Sequence, residues 1–158
     1  MAKKIIAALC LAACMTVIFI FSSQNGETSG ELSGGVTHWI AEKTVRGFSE
    51  MTPEKQTEIV ESMHFYVRKA AHFSVYALLG FTAFINVSLY TSKKAKRFLI
   101  SLPFCLLYAA SDEFHQLFTA ERCGSPVDVM IDFSGSVTGT VAIFIILKLI
   151  ASRNKKIS

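Results

Sequence analysis

Four long apolar stretches constrain the fold of this chain more than any other feature. They cover residues 5–21, 70–90, 98–118 and 127–150. Each is close to the roughly 20 residues that an α-helix needs to cross a bilayer. Only 18% of the residues are charged and 51% are hydrophobic, whereas a soluble domain carries about 25% charged residues. The sequence therefore predicts an all-α, polytopic membrane protein in which residues 1–158 form a single domain with four transmembrane helices.

The charged residues in the connections predict how these helices are oriented. Basic residues without acidic neighbours occupy residues 3–4, 93–97 and 153–156. All 12 acidic residues lie in or beside the other two connections, 22–69 and 119–126. By the positive-inside rule both termini are cytoplasmic and the 22–69 segment is outside. Because the basic clusters flank spans and face anionic lipid headgroups, the net charge of +4 does not indicate nucleic-acid binding.

The first apolar stretch has two other interpretations. The Lys3-Lys4 pair before an apolar run resembles the start of a signal peptide. Residues 11–14 (Leu-Ala-Ala-Cys) resemble a lipoprotein cleavage box. Because the apolar run continues through residues 15–21, we expect an uncleaved membrane span.

The outer segment between the first two spans is predicted to be partly helical. Residues 22–35 are rich in Ser and Gly and read as a loop. Residues 36–48 fit a short amphipathic helix, in which Trp39 suits the membrane interface. Thr52-Pro53 is a favourable helix start, and the helical pattern runs from there into the second span. The segment is either a connector along the membrane surface or a lid over the outer ends of the helices.

Polar residues inside the predicted spans gather at one end, near the outer leaflet. Arg68, His72 and Tyr76 recur every four residues on one face of the second span. Because ionisable residues inside a membrane are costly, we expect them to surround a polar cavity. The complete predicted ligand-binding set is Arg68, Lys69, His72, Tyr76, Asp112, Glu113, Gln116, Arg122, Asp128 and Asp132. A Gly135–Gly139 spacing in the fourth span favours close helix packing.

Three interpretations of this polar set remain open. Cations and carboxylates could pair only with each other and so fix the register of the helices. Alternatively, the guanidinium groups of Arg68 and Arg122 could bind a phosphate or carboxylate. In the third interpretation the set is a catalytic or metal site, with Asp112 or His115 as the general base, alone or with a metal. No compact metal-ligand spacing occurs, so neither a metal nor another cofactor is predicted.

Four stretches of the chain carry a family resemblance. They are residues 21–24 (Phe-Ser-Ser-Gln) with Ser29 and Ser33, residues 68–73 with Tyr76, residues 111–118, and Arg122 followed by residues 128–132 with Gly135 and Gly139. In this order, over nearly the whole chain, they resemble the VanZ-like family. Val75 departs from the pattern, because many members have Glu before the tyrosine of the second stretch.

The resemblance implies a multi-pass protein of the bacterial cytoplasmic membrane and a link to reduced sensitivity to teicoplanin-type glycopeptides. It does not imply a reaction. Combined with the polar set, it predicts that the protein binds an anionic lipid or a cell-wall precursor headgroup. One alternative is an enzyme that hydrolyses or transfers a group on an envelope lipid. Another is a structural or regulatory partner of an envelope enzyme, and the sequence names no protein partner.

Overall fold

The computed structural model of the protein describes residues 1–24, 26–119 and 124–157. Within these ranges the chain is almost entirely helical and contains no β-strand, which confirms the all-α prediction. The helices are α1 (Ala2–Ser22), α2 (Gly26–Thr44), α3 (Pro53–Ser88), α4 (Lys94–Gln116) and α5 (Pro126–Ile157), with a short 3-10 helix at Phe48–Glu50.

Three of the described helices are long and apolar enough to cross a membrane, namely α1, α3 and residues 126–154 of α5. Large apolar side chains are exposed on these helices and on α4, for example Leu9 on α1, Leu107 on α4 and Ile145 on α5. Such exposure is expected where lipid is the solvent. The fourth predicted span does not meet the same criterion. Although α4 has 23 residues, the polar residues near its end lower its hydropathy.

α1 and α4 run in one direction, and α3 and α5 run in the opposite direction. The hydroxyl of Tyr108 donates to the carbonyl oxygen of Met15 at 2.7 Å, which places α4 beside α1. The hydroxyl of Thr140 donates to the carbonyl oxygen of Gly80 at 3.2 Å, which places α5 beside α3. The α1–α4 contacts and the α3–α5 contacts each join helices of the same direction. Because the connection from α3 to α4 is a short turn, these two helices are antiparallel.

Three glycines allow α3 and α5 to pack closely. A Cβ atom on Gly80 would overlap the backbone of Ser136, and one on Gly139 would overlap the backbone of Ala77. A Cβ on Gly135 would overlap the carbonyl oxygen of Phe73. The close packing predicted from the Gly135–Gly139 spacing is therefore present, and its partner is α3.

The outer segment differs from its prediction at residues 26–35, which were expected to form a loop. They belong to α2, which also ends earlier than predicted, at Thr44. Glycine-rich sequence disfavours a helix, but α2 packs along α3, where Ser33 Oγ lies 2.6 Å from His64 Nε2. After α2, Gly47 adopts a left-handed conformation (φ 72°) that starts the turn to α3. The predicted start of α3 at Pro53 is confirmed, and α3 continues as one helix to Ser88.

Candidate functional site

The predicted polar set lies where α1 and α4 end and α5 begins. Nine of its ten residues fall in the described part of the chain, on α3, α4 and α5. Arg122 lies outside the described residues. Their contacts divide these residues into two subsets. The side chains of one subset pair with other groups of the protein, and those of the other line a cavity.

The first subset joins α3 to α5. The ammonium group of Lys69 forms an ion pair with the carboxylate of Asp128. One turn further along both helices, His72 Nδ1 lies 3.6 Å from Asp132 Oδ1. Asp132 is completely buried, and neither of its carboxylate oxygens has a hydrogen bond among the described residues. His72 is therefore the group that compensates this buried carboxylate.

Glu113 ties α4 to the start of α5. Its Oε2 accepts a hydrogen bond of 2.9 Å from the backbone N–H of Ser125, which directly precedes α5. The side-chain amide of Gln116 donates to Oε1 at 3.4 Å. Glu113 is buried, so these bonds fix the α4–α5 connection and leave the carboxylate little room for a ligand.

Asp112 has a different arrangement, because its two donors use the same oxygen. The hydroxyl of Tyr76 donates to Oδ2 at 3.0 Å, and the amide of Gln116 donates to the same atom at 3.3 Å. Oδ1 receives no hydrogen bond from the described residues. Asp112 is only 5% exposed, and it lines a cavity. The carboxylate is thus held in place with one acceptor oxygen left over.

The cavity has a volume of about 290 Å³ and lies between α1, α2, α3 and α4. Its apolar lining consists of Ile18, Phe21, Val36, Val67, Ala71 and Val75. Its polar lining consists of Ser22, Gln24, Ser33, Arg68, His72, Tyr76 and Asp112. A chamber with apolar walls and a few polar groups is typical of small-molecule sites.

Arg68 is the cation of this cavity. It is half-buried and forms no ion pair or hydrogen bond within the described ranges, whereas the adjacent Lys69 is paired with Asp128. A guanidinium group offers five N–H donors in a planar fork that fits carboxylate and phosphate groups. An anion at Arg68 would therefore break no ion pair or hydrogen bond of this side chain among the described residues.

The two predicted general bases are separated by the structure. Asp112 lines the cavity, but His115 does not. The ring of His115 stacks on Phe19 at a centroid distance of 5.1 Å, and its Nε2 lies 3.3 Å from Ser23 Oγ. His115 therefore connects the ends of α4 and α1. No three His, Cys, Asp or Glu side chains converge as metal ligands in residues 1–24, 26–119 and 124–157.

The predicted set omitted the contributions of α1 and α2 to the cavity. Ser22 is 3% exposed, and its hydroxyl has no hydrogen-bond partner among the described residues. Gln24 lies beside it at the end of α1, and α2 contributes Ser33 and Val36. The polar Ser-Ser-Gln end of the first apolar stretch was the signal for α1. For α2 the sequence left open a lid over the outer ends of the helices, but its Gly- and Ser-rich part was expected to be a loop, so the residues of α2 in the wall were not predicted.

The comparisons with known proteins agree with the motifs. The model of the VanZ/LLP1 family matches residues 7–148. This match covers nearly the whole chain and confirms the resemblance predicted from the four stretches. Neither the curated proteins nor the solved structures gave a match.

Proposed function

This chain belongs to the VanZ/LLP1 family. We propose that it binds an anionic headgroup in the cavity that α1, α2, α3 and α4 enclose. The headgroup belongs to a membrane lipid or to a lipid-linked cell-wall precursor. The observation that carries this proposal is the position of Arg68, which lines the cavity and has no ion-pair partner among the described residues. An uncompensated cation in a membrane helix is unfavourable, and a bound phosphate or carboxylate would supply the missing countercharge.

We also propose that α4 is a fourth span, with both termini in the cytoplasm. At 1.5 Å per residue its 23 residues extend about 34 Å, enough to cross the hydrocarbon core. Near its C-terminal end the polar side chains of Asp112, Glu113 and Gln116 are buried inside the protein and not presented to lipid. The cavity then opens towards the outer leaflet of the bacterial cytoplasmic membrane.

Reporter fusions test this topology. Four spans place both termini on the same side of the membrane, whereas three spans place them on opposite sides. Green fluorescent protein and alkaline phosphatase fused in turn to each terminus distinguish the two cases, since the phosphatase is active only outside the cytoplasm. Fluorescence at both ends is the expected result. Phosphatase activity at one end would show that one of the four helices does not cross.

Binding is tested with the purified full-length protein and vesicles that contain phosphatidylglycerol as the anionic lipid. Arg68→Ala should weaken binding by about tenfold or more, because a hydrogen-bonded ion pair inside the cavity is lost. The matched control is Arg46→Ala, which removes the same charge from an exposed position after α2. Equal binding by both variants and the wild type would contradict the proposal.

The proposed cellular consequence is a lower sensitivity to teicoplanin. A strain that lacks the gene is complemented with the wild type, Arg68→Ala or Arg46→Ala, and the membrane level of each protein is checked by blot. We expect the wild type and Arg46→Ala to restore tolerance and Arg68→Ala to fail. If deletion of the gene leaves teicoplanin susceptibility unchanged, this consequence is wrong, while the binding measurement above stands separately.

A further inference from the structure

The side chains that lie deeper in the cavity than Arg68 indicate which kind of anionic lipid would fit there. This inference rests on the proposed function. Arg68, His72 and Tyr76 follow each other down α3 at intervals of about 6 Å. Tyr76 packs in the same buried cluster as Cys14 and Ile18, one to two turns before the end of α1 at Ser22, so it marks the deep end of the cavity. Arg68 lies towards the mouth, because α1 is antiparallel to α3 and ends at Ser22.

The deep end of the cavity offers a hydrogen-bond acceptor. Asp112 is fixed by Tyr76 and Gln116, which both donate to Oδ2. Its Oδ1 accepts no hydrogen bond in the described part of the chain, and the residue lines the cavity. Because an ionised carboxylate can only accept hydrogen bonds, a ligand that supplies a hydroxyl or amino N–H is favoured there.

The middle of the cavity carries a histidine. His72 lines the cavity, and its Nδ1 faces the buried carboxylate of Asp132. A carboxylate in this position favours a proton on Nδ1, as in many carboxylate–histidine pairs. The cavity therefore presents a cation at its mouth, an imidazole in its middle and the carboxylate of Asp112 at its deep end.

The walls and the size of the cavity indicate what accompanies these polar groups. Ile18 of α1 and Val67, Ala71 and Val75 of α3 form an apolar surface along its length. Its volume of about 290 Å³ is at the lower end of the roughly 300–1,000 Å³ of ligand pockets. One alkyl chain fits beside the polar groups more readily than two.

We propose that the ligand is a single-chain phospholipid with a free hydroxyl on the chain side of its phosphate, as in lysophospholipids. The phosphate binds Arg68, the hydroxyl donates to the carboxylate of Asp112, and the chain follows the apolar wall. A diacyl phospholipid has an ester in place of that hydroxyl. An ester can only accept hydrogen bonds, so it offers no donor to the carboxylate of Asp112.

Three lipids and one salt test this proposal on the purified full-length protein. They are 1-oleoyl-glycerol-3-phosphate, its 2-O-methyl ether, dioleoyl phosphatidic acid and inorganic phosphate as a competitor. We expect the free hydroxyl lipid to bind about tenfold more tightly than its methyl ether, since one hydrogen bond to a charged acceptor is lost. It should also bind more tightly than the diacyl lipid, and phosphate at the same concentration should not displace it.

Two variants locate the preference in the cavity. Asp112→Asn should reduce the preference for the hydroxyl lipid over its methyl ether to about twofold, because a charged acceptor becomes a neutral one. Arg68→Ala should weaken the binding of both lipids and leave their ratio unchanged. Arg46→Ala is the control and should change neither value. The comparison of the two lipids on the wild type does not depend on whether a variant folds.

The outcomes separate this proposal from the one on which it rests. Equal affinity of the wild type for the hydroxyl lipid and its methyl ether overturns the hydroxyl preference, and tighter binding of the diacyl lipid overturns the single chain. In both cases a loss of binding in Arg68→Ala would still support the anion site. Displacement by inorganic phosphate at equal concentration identifies free phosphate as the ligand. If none of the lipids binds, the proposed function itself fails.

Discussion

The two sides of α3 use the same kinds of residues in opposite ways. Arg68 and Lys69 are adjacent, and both lie at the end of the helix bundle where the polar residues gather. Lys69 points towards α5 and is neutralised by Asp128. Arg68 lines the cavity towards α1 and α2 and has no such partner in the described ranges. One position along the helix thus separates a cation that joins two helices from a cation that is available to a ligand.

The two sides of α3 also differ in how closely neighbouring helices pack against them. Towards α5, glycines bring the backbones together, and the hydroxyls of Ser136 and Thr140 donate to carbonyl oxygens of α3. Towards α1 and α2 the helices enclose a space of about 290 Å³. Because interiors of proteins are otherwise close-packed, the packed side is the one that stabilises the fold, and the open side is the one to which we assign the proposed binding.

The largest effect expected is from a single methyl group on the packed side. Gly139→Ala places a Cβ against the carbonyl oxygen of Ala77, so α3 and α5 must move apart. Such overpacking costs about 1–3 kcal/mol or more. The control is Gly35→Ala on α2, where nothing lies within 4 Å of the added Cβ. Because alanine favours a helix by about 0.5–1 kcal/mol over glycine, this variant should be unchanged or more stable in thermal unfolding. Equal stability of the two variants would contradict the close packing.

Separating the Lys69–Asp128 pair should have the next largest effect. Each side chain is about one quarter exposed, at 23% and 24%, so the cost of leaving one charge unpaired lies below the 3–5 kcal/mol of a fully buried pair. We expect Lys69→Met or Asp128→Asn to lower the free energy of unfolding by about 1–3 kcal/mol. The double variant should recover part of that loss. Strictly additive losses would mean that the two residues do not interact.

The sequence predicts most of the fold because hydropathy and helix-start signals are local. The apolar stretches, the start at Pro53 and the glycine spacing on α5 all appear in the structure. The helix at residues 26–35 was not predictable, since its glycines favour a loop and its stability comes from packing on α3. The hydropathy of α4 is ambiguous for a related reason, because its carboxylates are buried against other helices and not in lipid.

The members of the polar set were predictable, but their division into two subsets was not. Helical spacing shows that Arg68, His72 and Tyr76 share a face. It does not show that His72 faces Asp132 while it also lines the cavity, or that His115 turns towards Ser23. These details depend on the rotation of each helix about its axis, which is set by contacts between distant parts of the chain.

A substitution at Arg68 should leave the fold intact, in contrast to one at Lys69. Arg68→Ala removes a cation with no partner among the described residues, so its effect on the free energy of unfolding should stay within about 0.5 kcal/mol, as for positions without specific contacts. Lys69→Met should be clearly less stable in the same thermal measurement. A loss of stability in Arg68→Ala equal to that of Lys69→Met would show that Arg68 also belongs to the structural network, and would remove the distinction between the two sides.

The smallest effect on lipid binding is expected at His115, which lies at the end of α4 outside the cavity. His115→Gln removes the contact with Ser23 Oγ at 3.3 Å and the stacking on Phe19. One hydrogen bond between neutral groups near the surface contributes about 0.5–1.5 kcal/mol, and Ser23→Ala should reproduce most of that loss. Lipid binding should stay within about twofold of the wild type in both variants, because neither side chain lines the cavity. If His115→Gln abolished binding or any lipid turnover while Ser23→Ala did not, His115 would act on the ligand directly. The functional face of α4 would then extend beyond Asp112 to the contact with α1.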